Sequence, residues 1–356
     1  MMPLPSRRSI KSERNRYRGH RRHERSMSSP FRFRPFSIAP ERCRWIRPTH
    51  LIALALLLPA TLLCGCSLRR AVVVGAAVPI LEDGVTVFQR ESDTRLAREA
   101  IPANLKLLEI LLSQAPDDAR LNALAAEYMG TYVFAFVEPD VEMYFYTDPA
   151  RSNEARRRAI ALYERGKGYG FKALSKHGTL QSALEGGDMR LAEDALARVN
   201  KDEIRALFWT AFCWAAEANL NLDKLETLTQ GPAIEAMMKR VLELDETYYY
   251  GGAHLFFGTL LASLPETGGG DPKRSREHFR SAMACDNGCS LMAKVFYARY
   301  YAVRVQDVEL FRSALREVLE APIDQWPNEI LGNRLAQDRA RFYLDHESDY
   351  FLETNP

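Results

Sequence analysis

No stretch of this 356-residue chain alternates apolar and polar residues with period two. That excludes a protein built on β-sheet. Catalytic signatures are missing as well: there is no His-Glu-x-x-His, no phosphate-binding glycine loop and no Gly-x-Ser-x-Gly elbow. Zinc-protease, nucleotide-hydrolysing and serine-hydrolase chemistry therefore have no support, and the chain reads as a non-enzyme. The run Gly268–Gly270 follows no strand and is not followed by Lys-Ser/Thr, so it is a linker. No second Cys/His pair lies at ligand spacing, which argues against a metal site, and no cofactor is implied. Acidic pairs such as Glu193-Asp194 read as solvated helix faces.

What is present begins with a strong charge asymmetry. Residues 1–65 hold 14 Lys and Arg against 3 acids, which leaves 34 against 43 for the remainder, a net charge of −9. An acidic remainder argues against nucleic acid or anionic lipid as its partner. The basic tract Arg7–Arg47 precedes an apolar run that starts at Leu51 and contains Pro59. At about 13 residues that run is too short to span a membrane and suits a signal-peptide core. It ends in Leu62-Leu63-Cys64-Gly65-Cys66, which resembles the lipobox of bacterial lipoproteins. The resemblance implies Leu63 at −3, Gly65 at −1 and acylation of Cys66 as the new N-terminus. Cys64 at −2 departs from the usual Ala, Ser, Thr or Val, and an ordinary secretory signal is the alternative. Residues 1–65 are thus expected to be a signal peptide with a long basic n-region, with Met27 as an alternative start. Residues 66–92 are expected to be a lipid-tethered linker and 93–356 a helical domain.

Helical periodicity dominates from Asp93 onward. Ile101, Leu105, Leu108 and Leu112 step by four, three and four, one stripe of a 3.6-residue helix. Pro116-Asp117-Asp118 breaks it, and Leu121–Val137 resumes. Asp148-Pro149 and Asp271-Pro272 read as N-caps followed by proline in the first turn. Further helices are expected at Ile204–Leu220, Ile234–Leu244, Tyr248–Leu264, Leu291–Val305, Val308–Leu319 behind Asp307, and Asn328–Leu344. The segments Ile234–Asp245, Ser275–Asp286 and Phe311–Pro322 resemble one another, each an amphipathic helix before a second one rich in Tyr and Phe. Their offsets, about 41 and about 36 residues, bracket the 34 of a tetratricopeptide unit. The expected fold class is all-α, a right-handed solenoid of TPR-like antiparallel helix pairs whose stacking buries a shared core.

Two aromatic clusters stand out as candidate ligand sites. On a continuous helix Tyr250, His254, Phe257 and Leu261 share one face, while Gly251, Gly258 and Ala262 form a small-residue face that admits close approach. His254 either donates to a carboxylate or is satisfied within the core. Trp209, Phe212 and Trp214, with Asn219 and Asn221 at the helix end, are either a packed core or a polar-ended pocket. Lys294 has Tyr297 and Tyr301 at +3 and +7, and either reaches water along its stem or points into a cavity. Cys213 sits in an aromatic stretch and reads as buried and inert. Cys285 and Cys289 flank a tight turn, close enough for a disulfide and equally able to stay reduced.

Five stretches in order carry a family resemblance: Pro102-Ala103-Asn104-Leu105-Lys106; Leu207-Phe208-Trp209-Thr210 with Trp214 and Asn219-Leu220-Asn221; Tyr248–Gly258; Gly269-Gly270-Asp271-Pro272 with His278-Phe279; and Ala293–Tyr301. Together they resemble the T component (TatT) of tetratricopeptide-associated TRAP transporters, over about Phe88 to Leu344. The resemblance implies a periplasm-facing lipoprotein, associated with the solute-binding P component and often trimeric, with a hydrophobic channel for ligand passage. It also implies a carboxylate cargo, for which Lys294 is a candidate counter-ion. Ser67 after Cys66 points to the outer membrane. The rival readings are a repeat scaffold for envelope assembly without a ligand, and an envelope hydrolase centred on His254.

Overall fold

The computed structural model describes residues 75–352 apart from 225, 226, 228, 286 and 287, all of them in the unit Pro59–Pro356. The expected acylation site Cys66, the leader before it and Met27 lie outside the described residues. Among the described residues every regular element is helical.

Part of the segment expected to be a linker is helical, over residues 75–89 (α1). Gly75, Pro79 and Gly84 interrupt the apolar period there, which is why no helix was legible. Tertiary contacts supply what propensity lacks. Val78 and Leu81 are buried, the Tyr128 hydroxyl donates to the Leu81 carbonyl at 3.0 Å, and Glu82 takes ion pairs from Arg120 at 2.7 Å and Arg205 at 3.1 Å.

The long helices follow the sequence pattern closely. Helix α2, Thr94–Gln114, is capped by Asp93, whose carboxylate accepts from the Arg95 and Leu96 amides, and its expected stripe Ile101, Leu105, Leu108 and Leu112 is buried. Helix α3, Ala119–Phe136, is apolar on nearly every side because α2 and the helices Pro149–Ala173 and Ile204–Leu220 all pack on it. A short α4, Pro139–Met143, leads to α5, Pro149–Ala173, which Asp148 caps as expected through the Arg151 amide. Two short helices, α6 (Leu180–Gly186) and α7 (Met189–Leu196), had no sequence signal long enough to place them. Helix α8 runs Ile204–Leu220 and α9 Gly231–Asp245.

Helix α10, Tyr248–Ser263, differs from expectation at its start. Tyr249, Tyr250 and Gly251 have φ of 47°, 59° and 69°, the left-handed region that costs a non-glycine residue about 1–2 kcal/mol. Tyr250 therefore leaves the helical register and does not share a face with His254, Phe257 and Leu261. The strain is sustained by packing: the Tyr249 ring lies 4.7 Å from Trp209 and 5.6 Å from Phe208. The small residues still admit close approach, as expected. A Cβ at Gly258 would stand 3.0 Å from the Phe279 ring, and one at Gly251 3.0 Å from Ala282 Cα, so α11 (Pro272–Cys285) lies tightly on α10.

Helix α12, Met292–Phe296, continues into a π-helical turn at Tyr297–Ala302, an irregularity that periodicity does not show. Helix α13, Val308–Glu320, is capped by Asp307 and buries Phe311, Leu315 and Val318; α14 is Ile330–Asp345. Neighbouring helices pack pairwise along the chain, but α14 also touches α2. Arg90 donates to Asn328 at 2.8 Å, and the Arg339 guanidinium donates to the Phe134 carbonyl. The last helix thus returns to α2 and α3, and a cavity opens beside that contact.

Candidate functional site

The cavity has a volume of about 760 Å³, with walls from α2, α3, α4, the end of α8, the π turn and α14. Proline at the first position of α4 starts a helix whose i, i+4 spacing brings Glu138 and Glu142 to the same cavity. The opposite wall comes from the π turn. By taking an extra residue into one turn it brings Arg299 and Tyr300 together at the cavity wall. Asn219, Phe136, Phe296, Phe342 and His346 complete much of the lining, and Met143, Phe145 and Tyr146 are exposed beside it.

Arg299 and Glu142 form its electrostatic centre. Arg299 Nη2 lies 3.2 Å from Glu142 Oε1, and the hydroxyls of Tyr343 and Tyr350 donate to the same carboxylate at 3.1 Å each. The guanidinium is 4.3 Å from the Tyr350 ring, 5.4 Å from Tyr300 and 5.6 Å from Tyr343, a cation–π cage. Burial alone would lower the Arg299 pKa, but Glu142 and the tyrosines more than offset it and hold it above its ordinary value. Deeper in, burial raises the Glu138 carboxyl above the usual range, against the pull of Arg339 and of the Tyr163 hydroxyl that donates to it. At the α2 side Arg98 pairs with Asp140 at 2.7 Å. The charges on these walls are largely paired with one another. What the cavity offers a ligand is aromatic surface, hydroxyls and guanidinium edges.

Glu142→Ala would strip Arg299 of its carboxylate and leave two tyrosine hydroxyls without their acceptor. Because both charges are partly exposed, the expected loss of stability is about 1–2 kcal/mol, measured by urea denaturation. Glu142→Gln, which keeps an acceptor oxygen, is expected to lose less.

Of the residues nominated from the sequence, Asn219 alone lines this cavity. Trp209 and Trp214 are buried in the core, with Trp214 Nε1 donating to Gln230 at 2.7 Å. Asn221 closes the end of α8: its amide donates to the Glu217 carbonyl at 3.1 Å and its own carbonyl accepts from Thr227 at 2.9 Å. Lys294 pairs with Glu317 at 2.7 Å and does not line the cavity. Tyr297 stacks on Tyr301 at 4.9 Å, and the Tyr250 hydroxyl accepts from Gln89 at 3.4 Å. His254 faces His278, Nδ1 to Nδ1, at 3.0 Å, with Phe257 stacked on His278. Cys213 is buried, as expected. The Cys285 thiol donates to the Glu246 carbonyl at 3.6 Å, and the Cys289 carbonyl accepts from Asn333 at 2.8 Å. Sequence reasoning missed Arg299, Arg339, Glu138, Glu142, Tyr343 and Tyr350, which are scattered over more than 200 residues. Among the described residues no group of three or more His, Cys, Asp or Glu is arranged to hold a metal ion.

Comparison with known families decides the kinship. The model of the TRAP transporter T-component matches residues 90–351, nearly all of the described fold. The chain belongs to the TRAP transporter T-component family. A relative from Treponema pallidum (strain Nichols), called only an uncharacterized protein, is similar at 25% identity over 273 residues, 76% of this chain and 84% of its own length. Membership makes this T-component a part of a transport system and associates it with the cell envelope. No helix among its described residues is long and apolar enough to cross a membrane.

Proposed function

We propose that this T-component is a non-enzymatic, lipid-anchored adaptor of a TRAP-type transport system. It docks the periplasmic solute-binding component and shelters a hydrophobic or carboxylate ligand in transit. Its helix pairs act as a TPR-like right-handed solenoid, with lipid on Cys66 holding the domain at the envelope, facing the periplasm and favouring the outer membrane. Assembly as a homotrimer belongs to the same reading. The mechanism is proximity: a tether of short reach raises the effective concentration of the docked partner to the millimolar scale. A triacylated cysteine anchors far more firmly than the single chain that binds only marginally.

The observation that carries the ligand part is the cavity: about 760 Å³ falls within the ~300–1,000 Å³ of small-molecule sites. The test has two arms. Pull-down from envelope extract is expected to recover a solute-binding protein, and native mass spectrometry of delipidated protein is expected to show a co-purifying small molecule. Loss of the second signal alone favours the other reading, a TPR-like envelope scaffold without a ligand. The mutual pairing of Arg299 with Glu142 and of Arg98 with Asp140 favours that alternative. Failure of the first arm removes the adaptor. A Cys66→Ala variant is expected to leave the membrane fraction.

A further inference from the structure

Away from the cavity, two imidazoles meet across the α10–α11 contact. His254 Nδ1 and His278 Nδ1 are 3.0 Å apart, with ring centroids at 5.2 Å. At that distance one nitrogen must donate and the other accept, so the pair holds a single proton between its facing atoms. The rings have no room to separate. His254 is 12% exposed, and Phe257 stacks on His278 at 5.3 Å. The Ser275 hydroxyl donates to the Gly258 carbonyl at 2.7 Å, and Gly251 and Gly258 bring the two helices into backbone-scale contact.

We propose that the His254–His278 contact is an acid-sensitive latch, which holds α11 on α10 while the two imidazoles share one proton and releases it when a second is added. The surroundings are consistent with that order. Glu246 Oε2, on the turn before α10, is 3.5 Å from His254 Nε2 without hydrogen-bond alignment. Around His278, burial is the largest influence and lowers its pKa, the His254 charge and Arg274 lower it further, and Glu277 opposes them. Arg276 and Arg280 face Tyr297 of the π turn and add positive charge on that side. The sign follows: a histidine depressed in the fold takes its proton first in the opened state. The latch is intact above about pH 6.5, the ordinary histidine value, and weakens as pH falls below it.

Release would also loosen the left-handed turn at Tyr249–Gly251, because Gly251 packs on Ala282 of α11. Hydrogen exchange of the full chain at pH 7.5 and pH 5.0, corrected for intrinsic rates, tests this. Amides of 252–263 and 272–284 are expected to exchange about tenfold faster at pH 5.0. In His278→Gln the acid effect is expected to vanish while protection at pH 7.5 is kept. Equal acid sensitivity in wild type and variant overturns the latch. Should the variant fail to fold, NMR titration of wild-type imidazoles decides: two separated steps support it, and two ordinary independent titrations overturn it. Stoichiometric binding of Cu(II) or Zn(II) that protects the same amides, and is lost in His254→Gln, overturns it in favour of a metal site.

Discussion

Replacing Glu329 by glutamine is expected to raise stability by about 4 kcal/mol at pH 8 and to leave it unchanged near pH 4. Glu329 stands just before α14 and is 7% exposed, and its Oε1 has no hydrogen-bond partner. Burial pushes its carboxyl up to about 8. A charge at a helix N-terminus gains about 0.3–1 kcal/mol from the backbone dipole, too little to outweigh loss of water around a carboxylate. The acid is therefore held neutral in the fold but ionises at its ordinary value once the chain unfolds. Between about pH 4.5 and 8 the unfolded state binds fewer protons than the native one, so stability falls as pH rises. Denaturant titrations across pH 4–8.5 measure that slope. A wild-type slope no different from the Glu329→Gln slope would show that the carboxylate finds a partner when charged.

Gly170→Ala is expected to cost about 3 kcal/mol, with a fall in Tm of roughly 6–12 °C, whereas Gly168→Ala two residues earlier is expected to gain about 0.5–1 kcal/mol. Both glycines lie in α5, so intrinsic helix propensity favours alanine equally at each. Their surroundings differ. A Cβ at Gly168 meets nothing within 4 Å, while one at Gly170 would overlap Thr210 Oγ1 and stand 3.1 Å from Thr210 Cα. Thr210 cannot swing aside at low cost, because it is fully buried and its hydroxyl donates to the Ala206 carbonyl at 2.5 Å. The clash is deepest with the Thr210 side chain and extends to its backbone, so α5 and α8 must separate. The same close approach shows at Gly166, whose added Cβ would sit against Cys213, and at Gly130, which faces Trp209. Differential scanning calorimetry of the two variants side by side reads the opposite signs.

The caps at Asp148 and Asp307, the stripe of α2 and the span Ile204–Leu220 were legible because each depends on neighbours within a turn or two of helix. The repeated apolar period likewise specifies an all-helical chain. The small-residue face of α10 was visible as spacing, and so was its consequence of close approach. Register failed at Tyr249–Gly251, where tertiary packing of one aromatic ring outweighs the local preference for a right-handed turn. The same holds for the π turn at Tyr297–Ala302, whose extra residue leaves no mark in the composition.

The cavity belongs wholly to tertiary structure. Glu142 and Arg299 are 157 residues apart and Glu142 and Tyr350 are 208 apart, and neither distance carries a periodic signal. They meet because α14 returns to α2 and α3, a closure that depends on which helix faces find each other in three dimensions. Local chemistry along the chain dictates where helices start, which side is apolar and how tightly glycine lets them pack. Placement of charges around a shared space follows from the energy of the whole assembled core, which no window of residues contains.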